Sequence, residues 1–591
     1  MMFQNPAALP RLAASTLFSE ADLYQARFAA SLTTHAGSAA RDLVATLTAL
    51  VSLAVREGHV CLDLADPKTR TRLTALGLEA PAIPDLLATE VITLPGGPGP
   101  FILKDHRLYF ARFFHDEDFL GKSFLRLAAS PAQTVELPPD LFSSMTADDQ
   151  PDWQTVAVFA ALRSRFCVIS GGPGTGKTYT VAKILTLAAE MHREQKFTIR
   201  LAAPTGKAAG RMNQSLSGAL SGGVLPDKAQ TVHRLLGWQP GGRFRFHRGN
   251  PLPLDMLIVD EVSMLDMELS ARLMEALPDH ARLVLLGDRN QLASVEAGAV
   301  LANLCSGREI NRFSTEFVQA YANHTGSLLP VEEAPAPLTD HVVELQKSRR
   351  FGPDSGIAAL SALIRDGRAE DAAKLLSEPQ LDIEATPCQG HSALVAHLRP
   401  LVKNAFDALG KTDDPAQAFN DFDALRLLSP VRNGPRGSQT LNMLAREILT
   451  GSSGRDAEAW YPGRPVMILE NDYSLGLFNG DVGIALPANG ALRVFFPDAQ
   501  GTSFSPSRLP RHETCYAMTV HKSQGSEFGH TVLVLPEEPC PVLGRELLYT
   551  ALTRAKRRFT LIGNADQIIN AVQNPAHRDS GLGEKLHDRC G

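Results

Sequence analysis

The sequence contains no pair of cysteines in C-x-x-C spacing. Its seven (Cys61, Cys167, Cys305, Cys388, Cys515, Cys540, Cys590) are scattered along the chain. That argues against a zinc site and against a disulfide scaffold, and it fits a reducing cytoplasm. Long apolar runs are also missing. The most apolar stretch, Leu43 to Val55, is 13 residues bounded by Arg41-Asp42 and Arg56-Glu57. It is too short to span a bilayer and reads as a buried helix, so no membrane association is expected. The start, Met1-Met2-Phe3-Gln4-Asn5-Pro6, has no basic segment leading into an apolar core, so no signal peptide is expected. There is no excess of positive charge either. With 58 Lys+Arg against 64 Asp+Glu the net charge is −6, so any contact with a polyanion must come from a local groove. No internal repeat is present.

What is present is chemistry at strand ends. Gly171-Gly172-Pro173-Gly174-Thr175-Gly176-Lys177-Thr178 follows the apolar run Phe166-Cys167-Val168-Ile169 and precedes the helix-like Val181-Ala182-Lys183-Ile184-Leu185. This is a G-x-x-x-x-G-K-[ST] phosphate cradle. Backbone N–H groups converge on the β- and γ-phosphates, Lys177 adds a charge, and the Thr178 hydroxyl is placed to ligate Mg²⁺. It implies ATP or a related nucleotide, and says nothing of what the energy is used for. A second apolar run, Leu257-Ile258-Val259, ends in Asp260-Glu261. In a parallel sheet that is the ligand crevice, so Asp260 is expected to hold Mg²⁺ and Glu261 to polarise an attacking water. A third, Leu283-Val284-Leu285-Leu286-Gly287-Asp288, leads to Gln291, which would sit beside the γ-phosphate. Taken alone, an Asp-Glu pair is a solvated turn and a loop glutamine means little. Their weight comes from sharing one sheet.

Texture divides the chain, which has room for three or four domains. Candidate helices run from 20 to 39 and from 40 to 58, with strand-like segments at Val60 to Leu64 and Phe101 to Leu103. A Pro/Asp-rich passage, Pro138-Pro139-Asp140 and then Asp148 to Asp152, reads as a linker. From about 153 to 300, apolar β-branched runs alternate with helical segments, the pattern of a parallel sheet with crossover helices. Residues 325 to 340, punctuated by Pro330, Pro335 and Pro337, read as a flexible insertion, and a second α/β region begins at about 341. Within it, residues 460 to 512 show short strands and turns at Asn479-Gly480 and Asn489-Gly490, which suggests a small β-barrel-like insert. Residues 201 to 250 carry seven Lys/Arg against one acid, a local charge of +6, with Trp238, Phe244 and Phe246 interleaved. Such a patch suits a groove that follows a phosphate backbone and stacks bases, and Gly241 to Phe246 alternates like a hairpin strand and reads as a small pin.

The ordered set Gly171 to Thr178, Ala203-Pro204-Thr205-Gly206-Lys207-Ala208-Ala209, Val259 to Met264, Gly287 to Gly298, Ser348 to Phe351, Thr519 to Glu527 and Tyr549 to Lys556 resembles the motifs of superfamily-1 DNA helicases. More narrowly it resembles the RecD branch, the alpha subunit of the bacterial RecBCD helicase-nuclease (exodeoxyribonuclease V). The resemblance implies an α/β fold. Two RecA-like P-loop motor domains would span 150–335 and 341–591, with an SH3-like insert at 460–512 and a mainly helical partner-binding domain at 1–145. It also implies 5′→3′ translocation on DNA, RecB and RecC as partners, single-stranded and duplex-end DNA as substrate, and a role in double-strand-break repair and linear DNA degradation. The nuclease would reside in RecB, since no convincing nuclease carboxylate cluster is found here. Residue by residue, Gln154 resembles the adenine-reading glutamine and Glu527 the residue that contacts the nucleotide sugar. Thr205, Lys207, Thr519 and His521 match positions that grip DNA or couple it to the nucleotide. Arg350 and Arg554 match the arginines that reach the γ-phosphate from the second motor domain. Arg349 stands where an aromatic is often found, leaving open which of Arg349 and Arg350 faces phosphate. A stand-alone RecD-like helicase, a regulatory DNA-binding ATPase without unwinding, and a P-loop phosphotransferase are the alternatives.

Overall fold

In a computed structural model, the chain is described over residues 6–33, 37–131, 151–219, 227–239, 241–307, 309–352, 354–451, 460–472, 474–497 and 503–587. Most of the Pro/Asp-rich passage read as a linker lies outside these residues, as does Cys590. The six described cysteines are all free.

Two parallel sheets organise the molecule. The first runs in the order Val342–Leu345, Phe166–Gly171, Arg282–Gly287, Met256–Val259, Ile199–Ala203, Gln230–Thr231, every pair parallel. Its three central strands are buried on both faces, which is why they read as unbroken apolar runs. Val168, Leu257, Val259, Leu283 and Leu285 pack into one core, while Cys167, Ile169, Ile258, Val284 and Leu286 pack into another on the opposite face. The second sheet runs Ile383–Thr386, Ala555–Ile562, Phe528–Val534, Leu425–Ser429, Ala517–Thr519, also parallel throughout.

Two boundaries differ from the sequence reading. Val342–Leu345 pairs with Phe166–Gly171 and completes the first sheet, although the sequence places it at the start of the second region. The prolines before it invite a break there, but a parallel sheet takes its edge strand from wherever the crossover returns. The passage 325–340 is also pinned rather than loose. The Phe313 amide donates to Pro330 O at 3.0 Å, the Glu332 amide donates to Phe313 O at 2.7 Å, and Leu338 is fully buried.

Near the N-terminus, a four-stranded sheet (Leu62–Asp63, Arg107–Phe110, Phe101–Lys104, Ile92–Thr93) packs against the helix Ser38–Arg56. Contrary to the reading of a run too short to span a bilayer, that 19-residue helix is by length and composition alone long and apolar enough to cross a membrane. In this fold Val44, Leu47, Leu50 and Val51 face the sheet, and Ala45 and Ala49 lie against Ala26 and Ala30 of the helix Glu20–Ser31, so its apolar surface is spent on a protein core. The helix Ala111–Ala128 belongs to the first sheet's cover instead. Phe124 stacks on Phe166 with ring centroids 5.2 Å apart, and Phe113, Phe114 and Leu120 enter the same core as Leu257 and Leu285. Within 460–514, the described residues include a separate five-stranded antiparallel sheet, Ser503–Phe504, Ala491–Phe495, Val482–Ala488, Pro465–Ile468, His512–Thr514.

After the second sheet the chain turns back. Residues 575–587 run onto the first sheet's cover and the N-terminal strands, ending in the helix Leu582–His587, whose Leu582 and Leu586 are fully buried. The Arg578 guanidinium donates to the carbonyls of Ser294, Glu296 and Gly298. The buried Glu117 carboxylate accepts from the Ser580 hydroxyl at 2.7 Å and the Gly581 amide at 2.8 Å, with Lys585 Nζ 3.4 Å away.

Candidate functional site

The C-terminal ends of three first-sheet strands converge. Phe166–Gly171 opens into a loop in which Gly174 (φ +74°) and Gly176 (φ +89°) take left-handed conformations, and the helix Lys177–Met191 begins directly behind it. Side chains are excluded there. A Cβ at Gly174 would stand 2.4 Å from Arg350 Cβ, and one at Gly176 would stand 2.1 Å from Gln154 Nε2. Lys177 is turned back onto its own loop, donating to Gly171 O at 2.6 Å. Gln154 is buried beside it, its Nε2 donating to Thr175 O at 2.8 Å while its Oε1 has no partner. Met256–Val259 delivers Asp260 and Glu261. Glu261 holds φ +53°, a left-handed conformation that costs a non-glycine residue about 1 kcal/mol and that turns successive carboxylates into the crevice. Burial and the neighbouring charge of Glu261 raise the Asp260 pKa to about 6, with Lys177 pulling the other way. Arg282–Gly287 leads to Asp288 and Gln291, both buried.

The second sheet supplies the facing wall. One open cleft of about 830 Å³ is lined by Gly172 through Thr178, Asp260, Glu261, Gln291, Arg350, Glu527 and Arg554, together with Arg211 and Gly525. Arg350 reaches it from the segment linking the two sheets, its guanidinium donating to Glu527 Oε1 at 2.7 Å while Nη1 is buried without a partner. Arg349 is directed elsewhere, its guanidinium 5.8 Å from the Tyr179 ring centroid and its amide donating to Gly174 O. Arg554 is 1% exposed, held by the carbonyls of Thr550 and Ser526. Burial alone would raise the Glu527 pKa, but Arg211 and Arg350 outweigh it and hold the carboxylate at about 2. The cleft therefore combines unpartnered donors and acceptors, a glycine cradle and a surplus of arginine, a chemistry suited to a polyphosphate.

The sequence reading missed Arg211. It counts as one of seven charges in the basic stretch, yet it turns into the cleft, 2.9 Å from Glu527 and donating to Gly525 O. The only signal for it is its place on the helix Gly206–Ala219, one turn beyond the Thr205–Lys207 motif. Lys207 also turns inward. Its ammonium lies 5.7 Å from the Phe528 ring centroid, and burial, with Arg426 nearby, lowers its pKa to about 8. Thr205 accepts from the Ala208 amide at the start of that helix, and Thr519 ends its strand partly exposed. His521 has its pKa lowered by burial and by Arg578. Of the suggested pin, Phe244 and Phe246 pack against the first sheet's core, and the side chains left to solvent are Trp238, 39% exposed, with Arg243 and Arg245. That hairpin pairs Trp238 with Phe244.

Comparison with known proteins adds identity to this geometry. Residues 154–297 match an AAA domain, 514–562 a UvrD-like helicase C-terminal domain, and 14–109 the N-terminal domain of RecBCD enzyme subunit RecD. The ATP-dependent RecD2 DNA helicase of Deinococcus radiodurans is 34% identical over 427 residues, 71% of this chain and 50% of that protein. The RecBCD enzyme subunit RecD of Haemophilus influenzae is 39% identical over 475 residues, 74% of this chain and 73% of its own length. That of Mycolicibacterium smegmatis is 37% identical over 555 residues, covering 91% of this chain and 92% of itself. At that identity over nearly the whole length, with the glycine cradle and the facing arginines in one cleft, the chain belongs to the RecBCD enzyme subunit RecD family.

Proposed function

We propose that the cleft hydrolyses ATP and that the chain is an ATP-dependent 5′→3′ DNA helicase subunit. It would work with RecB and RecC in the cytoplasm in double-strand-break repair and linear DNA degradation. The observation that carries this reading is one cleft lined from two parallel sheets, with Lys177, Asp260, Glu261 and Gln291 on one and Glu527 and Arg554 on the other. In this reading 150–335 and 341–591 are RecA-like motor domains, with the strand 342–345 lent to the first. Residues 460–512 are an SH3-like insert, and 1–145 meet the partner subunits.

Of the oxygen-bearing side chains that line the cleft, Thr178 and Asp260 would hold Mg²⁺. Among the described residues no group of three or more His, Cys, Asp or Glu could hold a metal ion. When bound, the cation would neutralise phosphate charge. The chain's own residues do the rest. Lys177 exchanges its loop carbonyls for phosphate oxygens, and Gln154 offers its free Oε1 to the base. Glu261 and Gln291 orient the attacking water, while Arg350 and Arg554 stabilise charge that develops on the leaving phosphates. Because those arginines lie beyond the first sheet, phosphate draws the two sheets together and its release lets them part. Thr205, Lys207, Thr519 and His521 are the positions through which that movement would grip and release single-stranded DNA.

The test is strand separation on 5′-tailed and 3′-tailed duplexes by the full chain, alone and reconstituted with RecB and RecC. Unwinding from the 5′ tail, with single-stranded DNA stimulating hydrolysis, is the expected result. Lys177→Gln is expected to abolish hydrolysis. ATPase without separation of either substrate would favour the regulatory alternative, and retained DNA-stimulated ATPase in Lys177→Gln would remove the cleft from the mechanism.

A further inference from the structure

The loop that carries Gln291 is held from the opposite sheet at three points. The Tyr549 hydroxyl, from the helix Arg545–Leu552 of the second sheet, donates to Asp288 Oδ2 at 3.0 Å. The Leu292 amide donates to Thr550 Oγ1 at 2.9 Å, and Gln524 Nε2 donates to Leu292 O at 2.7 Å. Asp288, Gln291, Gln524, Tyr549 and Thr550 are all buried, so water does not compete for these bonds.

Asp288 sits at the centre. Its Oδ1 accepts from the Asn290 amide at 3.0 Å, and its Oδ2 accepts from Gln291 Nε2 at 3.2 Å as well as from Tyr549. With its nitrogen tied to Asp288, the Gln291 amide has its oxygen as the free end. That oxygen is buried, has no partner, and belongs to a residue lining the nucleotide cleft. A carbonyl oxygen in that place can accept a hydrogen bond from a water molecule, whereas an amide nitrogen could only donate one. We infer that Tyr549 is a positioning residue for hydrolysis: by fixing Asp288 across the seam between the sheets, its hydroxyl dictates which end of the Gln291 amide faces the cleft. Burial and the adjacent Asp288 push the phenol far above the ordinary tyrosine range, so it remains a donor. The hydroxyl also lies close to the phosphate loop, 3.0 Å from where a Cβ at Gly172 would be. The bond exists only when the two sheets are together, so the water-orienting amide is set correctly only in the closed cleft. This inference rests on the reading of the cleft as an ATPase site.

Steady-state ATPase of the full chain at saturating single-stranded DNA tests it. Tyr549→Phe keeps the ring and removes only the hydroxyl, so a packing role would leave turnover unchanged. The expected result is a kcat lower by about tenfold to a hundredfold, with KM for ATP within about twofold of wild type. The double variant Tyr549→Phe/Gln291→Ala is expected to be no slower than Gln291→Ala alone, because both act through one amide. Asp288→Asn, which replaces one accepting oxygen by an NH2 and so cannot serve the Asn290, Gln291 and Tyr549 donors together, gives the same split and stands in if Tyr549→Phe does not fold. A Tyr549→Phe kcat within twofold of wild type, or losses that multiply in the double variant, would overturn the inference while leaving the ATPase reading intact. A wild-type chain that does not hydrolyse ATP overturns both.

Discussion

Lys207 keeps its ammonium where a charge is disfavoured, against the Phe528 ring and near the buried Arg426, whose guanidinium lies over Phe422 and Phe528. Two cations from opposite sides of the seam lie near one aromatic ring. A base whose pKa is depressed on folding carries a cost fully present below its folded pKa and relieved as pH rises toward its unfolded value. For Lys207 that window runs from about 8 to 10.5. Stability of the wild type is therefore expected to rise between pH 8 and 10 relative to Lys207→Met. At pH 7, Lys207→Met should be the more stable by on the order of 2 kcal/mol, less what partial exposure returns. Urea midpoints of the two proteins across that range check it, and parallel pH profiles would show that the charge is not strained. The same residue shows what a charge count leaves out. Seven cations between 201 and 250 are plain in the sequence, but a count has no direction, and Lys207 and Arg211 turn inward while Arg234, Arg243, Arg245 and Arg248 stay exposed.

At the scale of elements, the strand ends are the most legible part of this protein. A parallel strand covered on both faces is apolar until it reaches the crevice, so Gly171, Asp260 and Asp288 mark the site by ending such runs. Which elements pack together is less legible, because apolar periodicity identifies a buried face without naming its neighbour. The helix Ala111–Ala128 follows the N-terminal strands in sequence, yet it covers the first sheet beside the helix Met267–Ala276. The segment 575–587 carries no motif, yet it ties down Glu117. That carboxylate is fully buried, and its partners are Ser580, Gly581, Tyr109 and Lys585. Removing it leaves the Gly581 amide without its acceptor and Lys585 with only the Asp118 carboxylate, 3.5 Å away. Glu117→Ala is expected to cost about 3 kcal/mol in chemical denaturation, and limited proteolysis should then cut the 575–587 segment before the rest of the chain. A variant as stable as wild type and no more easily cut would mean that this anchor is dispensable.

Across the whole molecule, the cleft joins two sheets whose cores are separate. Each parallel sheet has its own core, but the nucleotide groups are divided between them. A ligand held by both sheets is expected to stabilise both. At about 100 times its Kd, a non-hydrolysable ATP analogue should add about 2.7 kcal/mol. Any resolved thermal transitions of the two sheets should rise together, and a shift confined to one would show that the other wall does not bind. The path of the chain bears on how the sheets can part. It passes from the first sheet to the second over residues 346–355 and returns over 574–581 to anchor on the first sheet's cover. The returning segment therefore ties the second sheet to the first a second time, so that the two can part in fewer directions than a single tether would allow.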